Sequence, residues 1–113
     1  MDKKKTISLM REFISVKEKE VVVDSSSTPN MTFANLRDNI IGLGKILLED
    51  FETNTYIVRV PSGVGNMNSA VVALHLEDNV LNFMAYAREG IIKQHTAEKA
   101  IRRVQNKLSK YIK

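Results

Sequence analysis

Between Thr32 and Asn54, the apolar residues Phe33, Leu36, Ile40, Leu43, Leu47 and Phe51 recur every three or four positions, which is the period of an amphipathic helix. Thr32 is a candidate N-cap and Asn54 a candidate stop, so the spacing predicts one long helix between them. Gly44 falls near the middle of the apolar arc. Glycine there costs about 1 kcal/mol of helix propensity relative to alanine, which predicts close approach to a packed sheet. Arg37 also lies within the arc and is expected to carry its charge outward on its apolar stem.

After Asn54 the period changes to two. Thr55 to Val60, Ser69 to Leu76 and Val80 to Arg88 are rich in β-branched and aromatic residues and read as strands. The last two are joined by Glu77-Asp78-Asn79, which has the chemistry of a tight hairpin turn. Alternation sends Val72, Leu74, Leu76, Leu81, Phe83, Ala85 and Ala87 to a core face. The opposite face carries Val71, Ala73, His75, Val80, Asn82, Met84, Tyr86 and Arg88, with Ile57 joining if the first strand pairs in register. That mixed face is too apolar for open water, so either the N-terminal arm or another chain is expected to cover it.

A final helix is predicted from about Ala97, with Thr96 as N-cap, to the end of the sequence. Its buried stripe is Ala97, Ala100, Ile101, Val104, Leu108, Tyr111 and Ile112. Near the start, Ile7, Met10 and Ile14 suit a short helix and Glu20 to Asp24 suits a strand. Ser25-Ser26-Ser27-Thr28-Pro29-Asn30 reads as a loop, as do Pro61 to Asn66 and Arg88-Glu89-Gly90. The expected fold is α+β: a two-layer sandwich with an antiparallel sheet of three or four strands and two long amphipathic helices on one face. Residues 1–30 would form an N-terminal arm, and residues 31–113 a single α-β-β-β-α domain.

Composition narrows the function classes. A chain of 113 residues, 43% hydrophobic and 27% charged, suits one domain. It has no cysteine, which excludes disulfide scaffolds, cysteine-ligated zinc and cysteine nucleophiles. No apolar run approaches a membrane span, and Met1-Asp2-Lys3-Lys4-Lys5 is not followed by an apolar signal-peptide centre, so a cytoplasmic protein without a membrane partner is expected. The net charge of +4 is unevenly placed: residues 91–113 carry seven basic groups against Glu98 alone. Lys99, Arg102, Arg103, Lys107, Lys110 and Lys113 fall on one arc of the last helix, opposite its apolar stripe. Such an array can track phosphates or dock an acidic protein. It is equally what a solvated face looks like, helped by the helix dipole near the C-terminus.

From Thr32 onward, the order helix, three strands, helix resembles the topology of double-stranded RNA-binding domains. In that family a lysine cluster opens the last helix and a histidine-bearing loop joins the first two strands. Here Lys93-Gln94-His95-Thr96-Ala97-Glu98-Lys99 puts Gln94 and Glu98 in place of lysines, and Pro61 to Ser69 holds no histidine. The resemblance is therefore one of topology, and the functional residues do not carry over.

Catalytic chemistry finds little support. The Gly63-Val64-Gly65 loop lacks both the Gly-Lys-Ser/Thr ending and the following helix of a phosphate-binding loop, although a small anion near Gly63, Gly65 and Lys93 remains a third class of reading. His75 and His95, even with Glu77 and Asp78, are not brought to metal-ligand spacing. Ser25 to Ser27 have no base placed to activate them, and Glu49, Asp50 and Glu52 read as solvated surface. The sequence thus predicts a small non-enzymatic binding or accessory module, without cofactor or metal, acting through protein contacts and as a homodimer or subunit. Its candidate partner face is Ile57, Val71, Ala73, His75, Met84 and Tyr86. The alternative is a nucleic-acid-binding protein using Lys99, Arg102, Arg103, Lys107 and Lys110.

Overall fold

The structure, a computed structural model, describes residues 1–61, 69–89 and 94–113. Its elements run α1 (Lys3–Met10), β1 (Val22–Ser27), α2 (Phe33–Ile40), β2 (Lys45–Asp50), β3 (Thr55–Val60), β4 (Ala70–Glu77), β5 (Val80–Tyr86) and α3 (Thr96–Lys107), with short 3-10 turns at Glu18–Glu20 and Ser109–Tyr111. The five strands form one antiparallel sheet in the order β1-β5-β4-β3-β2. The fold class is α+β, as the patterning predicts, with five strands instead of three or four.

The segment between Thr32 and Asn54 departs from expectation. Thr32 does cap a helix: its hydroxyl accepts from Asn35 N at 3.0 Å, and the Asn35 side chain accepts from Thr32 N at 3.2 Å. That helix ends at Ile40, and the chain re-enters the sheet as β2. Gly44 stands at this junction. A Cβ there would lie 2.1 Å from the Arg59 carbonyl oxygen, so the expected close approach to a strand is real although Gly44 is not helical. A bulge between Ile46 and Leu48 turns Ile46 toward the helices while Leu47 and Leu48 pack on the other side of the sheet.

The hairpin between β4 and β5 follows the sequence. Asp78 and Asn79 have φ values of 51° and 64°, as a two-residue type I′ turn requires, and Glu77 pairs with Val80. On one sheet face, α2 and α3 cover Tyr56, Val58, Val60, Val72, Leu74, Leu81, Phe83 and Ala85. The opposite face holds Ile57, Val71, Ala73, Met84 and Tyr86, buried against Ile7, Met10 and Val16 of the N-terminal arm. The arm thus makes a partial third layer, beyond the two layers expected. Within the chain itself, it supplies the cover that the mixed face needs.

Ser25, Ser26 and Ser27 belong to β1 and not to a loop. Their partner is β5, in the register Asp24↔Phe83 and Ser26↔Leu81. Because Glu77 and Val80 close the hairpin, alternate residues of β5 from Leu81 onward turn their backbone groups to β1. Val23, Ser25 and Ser27 therefore point theirs outward, at the sheet margin. Two of these are taken: Asp24 Oδ1 accepts from Ser25 N at 2.8 Å, and Ser27 O accepts from Lys113 N at 3.0 Å. The other margin, β2, is interrupted by its bulge. Both edges are thus blunted against pairing with further strands.

Candidate functional site

The helix α3 is positioned by its buried side. Ala97, Ala100, Ile101 and Val104, followed by Leu108, pack into the main core, and Gln105 Nε2 reaches β1, donating to Asp24 Oδ2 at 2.9 Å and Ser26 Oγ at 3.3 Å. The first turn is acidic. Thr96 N donates to Glu89 Oε1 at 2.6 Å, and Glu98 Oε2 lies 2.6 Å from His95 Nδ1. The N-cap is His95, in the left-handed region at φ 56°, in place of the expected Thr96. Glu89 supplies the oxygen that a capping side chain would supply, and the Thr96 backbone donor holds its carboxyl below the ordinary value.

Past that turn the exposed side is cationic. Lys99, Arg102, Arg103, Lys107 and Lys110 are all exposed. Lys99, Arg103 and Lys107 form an i, i+4, i+8 row, with steps of about 6 Å along the axis. Arg103 Nη1 donates to Pro61 O at 2.6 Å, and the Lys110 ammonium sits 5.1 Å from the Tyr111 ring centroid. Among the described residues, none of the five forms a salt bridge with a carboxylate. Nor does the face present a large exposed hydrophobic residue: those described are Met1, Val23, Ile41 and Phe51.

The other sequence candidates lie elsewhere. Ile57, Val71, Ala73, Met84 and Tyr86 come together, as alternation predicts, but each is at most 3% exposed beneath the arm. His75, on the same face, is partly exposed near the turns. Its Nε2 lies 3.0 Å from Glu77 Oε2 and its Nδ1 3.1 Å from Thr55 Oγ1. An ionised carboxylate only accepts, so Nε2–H donates to Glu77 and Thr55 donates to Nδ1 when the ring is neutral. The hydrogen bond from His75 also lowers the Glu77 carboxyl below its usual range. Hydroxyl, imidazole and carboxylate stand in the order of an activated nucleophile, but Thr55 is buried and bound up with Thr53, so the array works as a cross-strand clamp. His95, the N-cap of α3, has its own carboxylate in Glu98, and among the described residues no three metal-ligating side chains converge. Gly63, Gly65 and Lys93 lie outside the described residues.

Arg37 does not simply reach for water. Its Nε donates to Glu49 Oε2 at 2.7 Å, tying α2 to β2. Beneath this pair the Tyr56 hydroxyl is buried without a partner in hydrogen-bonding geometry among the described residues. Burial first, and the Glu49 carboxylate second, push it up to about 12.

Sequence reasoning missed two features. Phe51, assigned to an apolar helix stripe, stands 68% exposed after β2, and Glu89 serves as the cap of α3 from seven residues away. The first could have been found only by recognising the strand; the second has no spacing signal.

The fold and this surface define a five-stranded α+β domain with a cationic helix on its outside. No family model matches the chain, and neither a curated protein nor a solved structure does. No helix among the described residues is long and apolar enough to cross a membrane.

Proposed function

We propose that this chain is a non-enzymatic binding module for nucleic acid, held through Lys99, Arg102, Arg103, Lys107 and Lys110. One observation carries the reading: four exposed cations on α3 and a fifth, Lys110, in the 3-10 turn beyond it have no carboxylate partner among the described residues and no apolar anchor among them. Protein interfaces draw their energy from buried aromatic and aliphatic anchors near the centre of the contact. A cationic row with none suits a ligand recognised by its charge, and a phosphate backbone is such a ligand. A cytoplasmic location, where nucleic acid is at hand, belongs to the same reading.

Action through protein contacts, with a second copy or a larger assembly on the mixed sheet face, remains the competing reading. It requires displacing Ile7, Met10 and Val16 from Ile57, Val71, Ala73, Met84 and Tyr86, and so exposing two apolar surfaces before making one.

Fluorescence anisotropy with labelled oligonucleotides at several salt concentrations tests the proposal. Affinity should fall as salt rises, and Arg102→Gln with Lys107→Gln should flatten the slope of log affinity on log salt by about 2 on duplex DNA. Neither side chain makes a hydrogen bond or salt bridge within the described protein, so the melting temperature should hardly change. Binding no tighter than about 10⁻⁴ M at low salt would refute the reading.

A further inference from the structure

Phe51 is the most exposed large hydrophobic residue described, and it is not a loosely hanging one. Its ring meets Phe33 at 5.6 Å between centroids with an interplanar angle of 79°, and Phe33 in turn stacks on buried Tyr56 at 4.1 Å and 12°. The three rings form a ladder from core to solvent. An edge-to-face contact spends at most one face of Phe51 on Phe33, and at 68% exposure the other is open.

Its position relates it to α3. Phe51 begins the turn between β2 and β3, and that turn touches the end of β4, where Leu76 N donates to Asn54 O at 3.0 Å. The hairpin of β4 and β5 lies at the same end, and Thr28 N donates to Asn79 O at 2.8 Å there. So does the last residue of the sequence, since Lys113 N donates to Ser27 O. The cationic row of α3 therefore runs toward the end of the sheet from which Phe51 projects, but Lys113 lies at the β1 edge and Phe51 follows β2 at the opposite edge, four strand spacings or about 19 Å across. Phe33 and α3 pack on one sheet face, so the exposed ring and the row share the helical side of the molecule.

Resting on the nucleic-acid reading, we infer that Phe51 is a stacking platform for an unpaired base and that the ligand is single-stranded nucleic acid. A strand whose phosphates follow Lys99, Arg103, Lys107 and Lys110 and which then crosses this end of the sheet meets an open aromatic face beside β2, and a base with a free π-face can settle on it. In a duplex the bases are already stacked on one another and offer no such face except at the ends. Recognition of this kind tolerates any base, in keeping with a cationic row that reads charge and not sequence.

The experiment compares the full chain with Phe51→Ala, Phe51→Trp and the Arg102→Gln, Lys107→Gln double variant, each titrated against a labelled single-stranded oligonucleotide and against a fully paired duplex closed at both ends by non-nucleotide caps. Wild-type protein should prefer the single strand. Phe51→Ala should weaken single-strand binding about ten-fold or more, leave duplex binding unchanged and leave the salt slope intact, since no charge is removed. The chain has no tryptophan, so Phe51→Trp introduces a single indole that should keep wild-type affinity and lose fluorescence when a base stacks on it. Equal loss on both ligands, no loss on either, or unquenched indole fluorescence at saturation would overturn the inference about Phe51. Wild-type protein that binds neither ligand would overturn the nucleic-acid reading and this inference with it. Unchanged affinity and salt slope in the double variant would overturn the role of α3 and, with it, the inference that a strand held there reaches Phe51.

Discussion

Replacing Gly44 by alanine should cost about 2 kcal/mol, although alanine is the less entropically costly residue to order. An ideal Cβ at this position would be 2.1 Å from the Arg59 carbonyl oxygen, 3.0 Å from the Arg59 carbonyl carbon and 3.2 Å from Val60 Cα. Carbon and carbonyl oxygen normally stand about 3.3–3.6 Å apart, so one of two strand backbones must move by about 1 Å. Neither is a flexible side chain, and Lys45 pairs with Arg59 immediately beyond. Overpacking of this kind costs about 1–3 kcal/mol, and the backbone setting argues for the upper end. Against it stands about 0.4–1 kcal/mol from the reduced freedom of the unfolded chain. With an unfolding entropy of roughly 2.1 cal/mol/K per residue over this length, the net loss lowers the melting temperature by about 8 °C. Calorimetry or thermal circular dichroism reads the shift directly. Gly42 is the internal control: nothing lies within 4 Å of its Cβ position, so Gly42→Ala should melt at or slightly above wild type. A Gly44→Ala protein melting with Gly42→Ala would show that β2 does not approach β3 as described.

Two further outcomes are expected. The Thr96 amide holds the Glu89 carboxyl below its ordinary value of 4.5, so its stabilising contribution is fully present above that pH and fades as pH falls through the lowered folded-state value. Glu89→Gln should therefore lower stability to urea at pH 7, with the gap to wild type narrowing toward pH 3; a gap independent of pH would show that the carboxylate charge is immaterial. Met10 is fully buried between the arm and the sheet, so Met10→Ala should cost about 2–5 kcal/mol, whereas an undocked arm would leave urea unfolding unchanged.

The strands that read most clearly from sequence are those whose alternation is undisturbed. Within β3, β4 and β5 each residue's face follows from its parity, and the type I′ turn is announced by Asp78-Asn79. The α3 stripe was equally legible as far as Leu108, because one helix packing on one sheet needs only one period, but the helix ends at Lys107 and not at the end of the sequence: Tyr111 closes a 3-10 turn and Ile112 is extended, both only partly buried. The failure at β2 has a physical cause. Its bulge breaks alternation at Leu47, leaving Ile46, Leu47 and Leu48 all half-buried, and their spacing from Leu36, Ile40 and Leu43 imitates a helix. Gly42 and Gly44 were the contrary signal. The Ser25–Ser27 segment misled for another reason: its strand conformation comes from β5 and Gln105 and not from its own propensities. The cationic face was visible in the sequence as a charge pattern, but its lack of carboxylate partners among the described residues depends on which acids fold nearby. The cover over the mixed face was posed correctly as a choice, and only the packed arm supplies the answer.

The order of strand pairing has a consequence for how such a chain acquires its shape. Three of the four ladders, β2 with β3, β3 with β4 and β4 with β5, join neighbours in sequence and close over short connections. The fourth, β1 with β5, must bring together segments separated by the whole meander and α2, and loop-closure entropy is charged before any of its hydrogen bonds form. The meander can therefore assemble first, with β1 joining a prepared edge. The arm reaches the sheet through β1, so its docking on Ile57, Val71 and Met84 is tied to that late step. Conversely, β1 and the arm form the unit that can detach most readily while the other ladders persist, which makes the apolar face beneath the arm the first interior surface to meet water when the native state fluctuates.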